Sequence, residues 1–166
     1  MSLDAALIAA TRAALNAPTF DARIEMRADA WRSDAQSILI RWAGFERLGH
    51  DEKRLVPTGL NVRETIEGAR VLRIAFICDS HRQDFEESAE DLADRLMAGF
   101  QFSTVEEILD TVNLARPVFG AVLNTSAPGR YDDARSLVIV NARFNYSRTV
   151  QGPLHGTIGA STAVLV

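Results

Sequence analysis

Apolar positions in the first fifty residues change from a helical to a strand-like spacing. A helix is predicted over residues 2–16, where apolar side chains recur every three or four positions, at Leu3, Leu7, Ala10 and Ala14. Ser2 is placed to cap its first turn. The β-branched and aromatic content of residues 24–31 and 37–48 predicts two strands, with Ile38, Ile40 and Trp42 on one face of the second. Residues 49–52 are expected to form a turn.

The clearest strand is predicted between residues 64 and 79. Leu72, Ile74, Phe76 and Cys78 occupy one face of it, and the intervening positions are also mostly apolar. A nearly continuous apolar run is typical of a strand that is covered on both sides. We therefore expect this segment to be a central strand of a sheet.

Two amphipathic helices are predicted next. Ser80 is expected to cap the first, whose apolar positions follow helical spacing from Phe85 to Phe100. Ser103 and Glu106 have the spacing of a capping box for the second, which is expected to end near Asn113. The outer face of the first helix is acidic.

The last third of the chain returns to strand patterns. Short and long strands are predicted at residues 118–123 and 137–146, with a loop between them at 126–133. The predicted fold class is α+β, a single domain with a mostly antiparallel sheet packed against two to three helices. That domain is expected to span residues 1–150. Glycine and proline in residues 151–166 predict a C-terminal arm whose apolar residues contact a partner chain, namely Ile158, Val164, Leu165 and Val166. The alternative is a frayed terminus.

Composition narrows the class of protein without naming a function. A chain of 166 residues is long enough for one real core. Its 18 basic and 22 acidic residues give a net charge of −4, which disfavours a free nucleic-acid binder. No leader pattern and no apolar run of membrane-spanning length is evident, so a protein that is soluble in the cytoplasm is expected.

Nucleophilic chemistry has one candidate pair. Cys78 and His81 could bring a thiolate and an imidazole together at the end of a strand. The favoured interpretation is that Cys78 is a small buried hydrophobe and that His81 lies in an exposed first helical turn. Cys78, Asp79 and His81 lack a second ligand pair, and no glycine-rich phosphate loop is present. No catalytic residue, metal or cofactor is therefore predicted.

The strongest charge feature is the acidic face of the first predicted amphipathic helix, formed by Glu87, Glu90, Asp91 and Asp94. The favoured interpretation is a solvated outer face. The alternative is electrostatic: repeated around a ring, these residues would line a channel with negative charge and let DNA pass without adhering.

The order of segments in residues 34–150 resembles a known family. A strand ending in Phe-Ile-Cys leads to a helix containing Glu-Asp-Leu-Ala-Asp-Arg-Leu, at residues 76–78 and 90–96. After a second short helix and a strand, Gly-Arg-Tyr-Asp-Asp-Ala-Arg enters the long strand 136–146. This arrangement resembles the neck or tail terminator proteins of tailed bacteriophages and prophage-like particles. The long N-terminal helix and the glycine-rich tail depart from that pattern.

The resemblance implies a structural virion protein that is not an enzyme. Such a protein would form a ring, commonly a hexamer, at the head-proximal end of the tail, and would be assembled in the host cytoplasm. Its expected partners are the tail tube protein, the head connector or neck proteins and, as a further candidate, the sheath. DNA would pass through without sequence-specific binding. The alternative from another class is a small cytosolic enzyme or regulatory domain with Cys78 and His81 in a pocket.

Overall fold

The structure is a computed structural model that describes residues 1–24, 36–80, 88–124 and 134–153. Within these ranges the chain forms an α+β fold with three helices and a five-stranded, mostly antiparallel sheet. The elements in chain order are α1 (Leu3–Ala14), β1 (Ala22–Ile24), β2 (Ser37–Thr58), β3 (Asn61–Ser80), α2 (Ala89–Gly99), α3 (Ser103–Asp110), β4 (Val118–Asn124) and β5 (Ala134–Pro153). The predicted fold class is confirmed.

The strand order in the sheet is β1-β2-β3-β5-β4. β1 runs parallel to β2, and β4 runs antiparallel to β5. Contacts near the two ends of β3 show that β5 is antiparallel to it: Asp79 binds Arg135, whereas Thr65 lies 3.2 Å from Thr149. β3 is therefore in the middle of the sheet, as its apolar run predicts.

The chain divides into two compact units. Unit 1 contains Met1–Glu46 and Val71–Phe144, and unit 2 contains Arg47–Arg70 and Asn145–Val166. The structure describes unit 2 as far as Pro153. β2, β3 and β5 contribute residues to both units.

The core of unit 1 joins the helices to one face of the sheet. Phe76 of β3 packs edge-on against Phe100 at the end of α2, with ring centroids 5.5 Å apart. Phe100 in turn meets Phe119 of β4 at 5.3 Å. Edge-to-face contacts of this kind are favoured by the quadrupole of the rings. The fully buried side chains around them are Leu7, Ile38, Ile40, Ile74, Leu92, Leu96, Val105, Leu109, Val138 and Val140.

The caps of α1 and α2 show how local signals compete with the sheet. Ser2 caps α1 as predicted, since its Oγ accepts a hydrogen bond from the amide of Ala5 at 3.3 Å. The expected cap at Ser80 is wrong, because Ser80 is the buried last residue of β3 and its backbone is extended. α2 begins at Ala89, and Ser88 accepts from the amide of Asp91 at 3.1 Å. Phe85 lies outside the described residues.

The capping box expected for α3 is also wrong. α3 starts at Ser103, and the N-cap is Phe102, whose side chain makes no capping bond. The carbonyl of Phe102 accepts from the amides of Val105 and Glu106. Because Phe100 is anchored in the core, the chain turns into α3 within two residues.

The regular helix ends at Asp110, and Asn113, with a φ of 54°, terminates the turns that follow it, as predicted. The amide of Asn113 donates to the carbonyl of Asp110, and the amide of Leu114 donates to the carbonyl of Leu109.

The turn expected at residues 49–52 is absent, because these residues belong to β2. Gly49 has a φ of 71°, which a strand can accommodate at a bulge when the residue is glycine. Asp51 is tied to Arg70 of β3 by two hydrogen bonds of 2.7 and 2.9 Å. The chain reverses at Gly59 and Leu60, where the φ of 66° at Gly59 is that of a type II′ hairpin.

Candidate assembly surfaces

The acidic face predicted from the sequence is present on α2. Glu90 and Asp94 are exposed one turn apart, and the partly buried Asp91 binds Arg95 at 2.9 Å. Arg95 also donates to Gln36 at 3.3 Å. Glu87 lies outside the described residues. Arg95 offsets the charge of Asp91.

The position of these carboxylates also has a local explanation. Glu90 and Asp91 lie in the first turn of α2, where negative charge is favoured by the helix dipole. An exposed acidic face is equally compatible with an outer surface and with the lining of a channel. Both interpretations therefore remain open on geometry alone.

Cys78 is a core residue. Its side chain is fully buried within the hydrophobic cluster of unit 1. Burial, and secondarily the negative charge of Asp79, raises the pKa of the Cys78 thiol to about 12. The interpretation of Cys78 as a buried hydrophobe is confirmed. The thiol is neither ionised near neutral pH nor accessible to a substrate, and His81 lies outside the described residues.

We expect the thiol of Cys78 to be inert in the folded protein. Iodoacetamide at neutral pH should leave the native chain unmodified and should alkylate one thiol per chain in guanidinium chloride, because only the exposed thiolate reacts. Mass spectrometry measures both states. Cys78→Ser should retain the fold with a moderate loss of stability. Rapid alkylation of the native protein would contradict the buried placement.

Within residues 1–24, 36–80, 88–124 and 134–153, no group of three His, Cys, Asp or Glu side chains is placed to hold a metal ion. None of the helices in the same ranges is long and apolar enough to cross a membrane.

A groove of about 510 Å³ in unit 1 brings together three arginines that are distant in sequence, Arg73, Arg116 and Arg143. Arg73 binds Glu46 at 2.7 Å, and Arg116 forms an ion pair with Glu106. The sequence did not reveal this groove, although the alternation along β3 places Arg73 on the side away from the core.

No protein-family model matches the sequence, and no curated protein matches it either.

Unit 2 is held in shape by a polar cluster that sequence reasoning missed. Arg70 binds Asp51 and stacks on Tyr146, with its guanidinium carbon 4.8 Å from the ring centre. Arg47 lies 3.4 Å from the same carboxylate. The hydrogen bond from Arg70 lowers the pKa of Asp51, and the same bond raises the pKa of Arg70. Through these contacts the cluster links β2, β3 and β5.

Most of unit 2 is exposed. Among its described residues only Val62 and Arg70 are buried. The residues around the turn, 54–63, are here called the hairpin tip. Exposed apolar side chains of unit 2 are Leu55, Val56, Leu60 and Val150. Small sheets need a packed face to be stable, so these exposed apolar side chains make unit 2 a candidate surface for contact with another chain.

The predicted C-terminal arm begins as part of the sheet. β5 continues to Pro153, so residues 151–153 extend a strand that was expected to end at residue 146. The apolar residues assigned to partner contacts lie outside the described residues, namely Ile158, Val164, Leu165 and Val166. Their role stays a prediction.

Proposed function

We propose that this chain is a structural protein that forms a ring at the head-proximal end of a phage tail, where it terminates the tail tube and joins it to the head connector. The observation that carries the proposal is the exposure of unit 2. An ordered extension of paired strands with exposed apolar side chains has little use in a monomer. Contact surfaces of this type are what a subunit of an assembly requires.

The order of elements supports the same assignment. The segments that resemble phage neck and tail terminator proteins form β3, α2, α3, β4 and β5 in that order. β3 lies at the centre of the sheet and α2 presents the acidic face. These are the elements on which the resemblance rests.

In this proposal the protein performs no chemistry. Unit 1 supplies a rigid core, unit 2 supplies contacts, and the assembled ring meets the tube protein on one side and the connector on the other. Burial of Cys78 removes the nucleophile on which the alternative of a small enzyme depended. In the assembled ring the acidic face of α2 is a candidate lining of the lumen, where negative charge keeps DNA from adhering during passage, and charge reversal distinguishes this position from the outer surface.

The mass of the protein in solution tests the proposal. Analytical ultracentrifugation should give a species close to six times the 18.2 kDa chain, and negative-stain electron microscopy should show rings with a central opening. A monomer or a compact dimer at every concentration up to the millimolar range would contradict the proposed function.

A position in the lumen predicts a gain of DNA binding on charge reversal. In Glu90→Lys combined with Asp94→Lys, each subunit adds two positive charges to the channel, so the ring should retain duplex DNA that the wild-type ring releases. Asp91 is left unchanged to preserve its pair with Arg95. Binding, measured by fluorescence anisotropy, should weaken steeply between about 50 and 200 mM salt.

A matched control reverses two exposed carboxylates of unit 2, Glu52→Lys with Glu67→Lys, for the same change in net charge. It should bind DNA far more weakly than the α2 variant. Equal binding by the two variants would mean that the α2 face belongs to the outer surface of the ring.

A further inference from the structure

The hairpin tip has an unusual combination of side chains. It contains two arginines, Arg54 and Arg63, and no acidic residue. Leu60 is 90% exposed at the turn, and Leu55 and Val56 are also exposed. Arg54 lies 3.9 Å from Glu52, which offsets part of its charge. Exposed apolar side chains together with a net positive charge are suited to a partner that is acidic and carries an exposed hydrophobic group.

Two cross-strand contacts form at or near the tip. Lys53 lies 2.8 Å from Glu64 on the neighbouring strand, directly below the tip. The hydroxyl of Thr58 donates to the carbonyl of Asn61 across the turn, at 3.4 Å. A surface that is ordered before binding loses less conformational entropy on association.

The charges of the two units differ in sign. Unit 2 contains six basic and four acidic residues, a net charge of +2. Unit 1 contains twelve basic and eighteen acidic residues, a net charge of −6. Electrostatic attraction between copies is therefore strongest when unit 2 of one copy meets unit 1 of another.

α3 provides the matching surface on unit 1. Phe102, at its N-terminus, is 56% exposed, and Glu107 and Asp110 are exposed on the same helix. No basic residue occurs between residues 102 and 115. We call Phe102, Glu107 and Asp110 the α3 surface. α3 thus offers an exposed aromatic side chain and two exposed carboxylates, which complement the exposed leucine and the two arginines of the hairpin tip.

We propose that the hairpin tip of one copy binds the α3 surface of the next copy. This inference rests on the proposed function, because it names the contact through which the ring would close. The two surfaces differ, so the contact is heterologous, and repetition of such a contact produces a ring when the rotation between copies closes. The proposed contact uses no residue of α2.

Charge reversal on each surface tests the contact in the full-length chain. The tip variant carries Arg54→Glu and Arg63→Glu, and the α3 variant carries Glu107→Arg and Asp110→Arg. Each should weaken self-association by about tenfold or more, because attraction at every interface becomes repulsion. A chain carrying all four substitutions should assemble again, since the signs are once more opposite. Sedimentation velocity measures the assembly, and circular dichroism checks the fold.

The control reverses two exposed arginines of unit 1 that lie outside the groove and outside α3, Arg23→Glu with Arg41→Glu, and should assemble like the wild type. If the wild type forms rings and the tip and α3 variants form them equally well, the proposed contact between the tip and the α3 surface is wrong. The proposed ring-forming function would stand in that case. Failure of the fourfold variant to recover would also overturn direct pairing of the two surfaces. A wild-type chain that never assembles would instead overturn the proposed function.

Discussion

Replacing Leu96 by alanine should lower the free energy of unfolding by about 2–5 kcal/mol, the range measured for buried leucines in other proteins. Leu96 is fully buried on the side of α2 that faces the sheet. The substitution removes apolar contacts and leaves a cavity, which the packed neighbours fill only in part. Leu92 occupies the same buried side and should behave alike.

Guanidinium chloride unfolding followed by circular dichroism gives this free energy. Val118→Ala is a suitable control, because Val118 is 69% exposed and its truncation should change stability by no more than about 0.5 kcal/mol. If Leu96→Ala were as mild as the control, the buried face of α2 would be assigned incorrectly.

Gly99→Ala should be destabilising by about 3 kcal/mol, the upper end of the usual cost of overpacking a core. A Cβ atom at residue 99 would lie 2.0 Å from the carbonyl oxygen of Ala14 and 2.5 Å from its carbonyl carbon. Both atoms belong to the backbone at the end of α1, so the two helices would have to move apart. Helix propensity alone would predict the opposite effect, an increase of up to about 1 kcal/mol in the free energy of unfolding.

Thermal and chemical unfolding of the purified variant measure the loss. Gly152→Ala is the matched control, since a Cβ atom there would meet nothing within 4 Å. The control should unfold close to the wild type. A Gly99→Ala protein as stable as the wild type would show that α1 and α2 do not approach as closely as described.

The apolar periodicity predicted the core well. The alternating residues of β3 and the helical repeat of α2 are buried where the pattern places them, at Leu72, Ile74, Phe76, Cys78, Leu92 and Leu96. These positions follow from the chain itself, because each element must turn its apolar side away from water. The Ser2 cap is local in the same sense, since donor and acceptor lie three residues apart.

The errors occurred where a distant segment decided the local conformation. The segment containing Gly49 and Asp51 has the composition of a turn, yet Arg70 on the neighbouring strand holds it in β2. Ser80 and Ser103 are acceptable capping residues by type. β3 extends through Ser80, so this residue lies in a strand. Because Phe100 is buried in the core, the chain turns there and α3 begins at Ser103.

By itself the sequence determined the fold class, the central strand, the core faces and the acidic side of α2, because periodicity and charge are properties of single elements. Only the tertiary structure decided which surfaces those elements share. It closed β2 and β3 into an exposed hairpin, gathered Arg73, Arg116 and Arg143 into one groove, and placed Gly99 against the backbone of Ala14. Each of these depends on contacts between residues far apart in the chain, which no local pattern encodes.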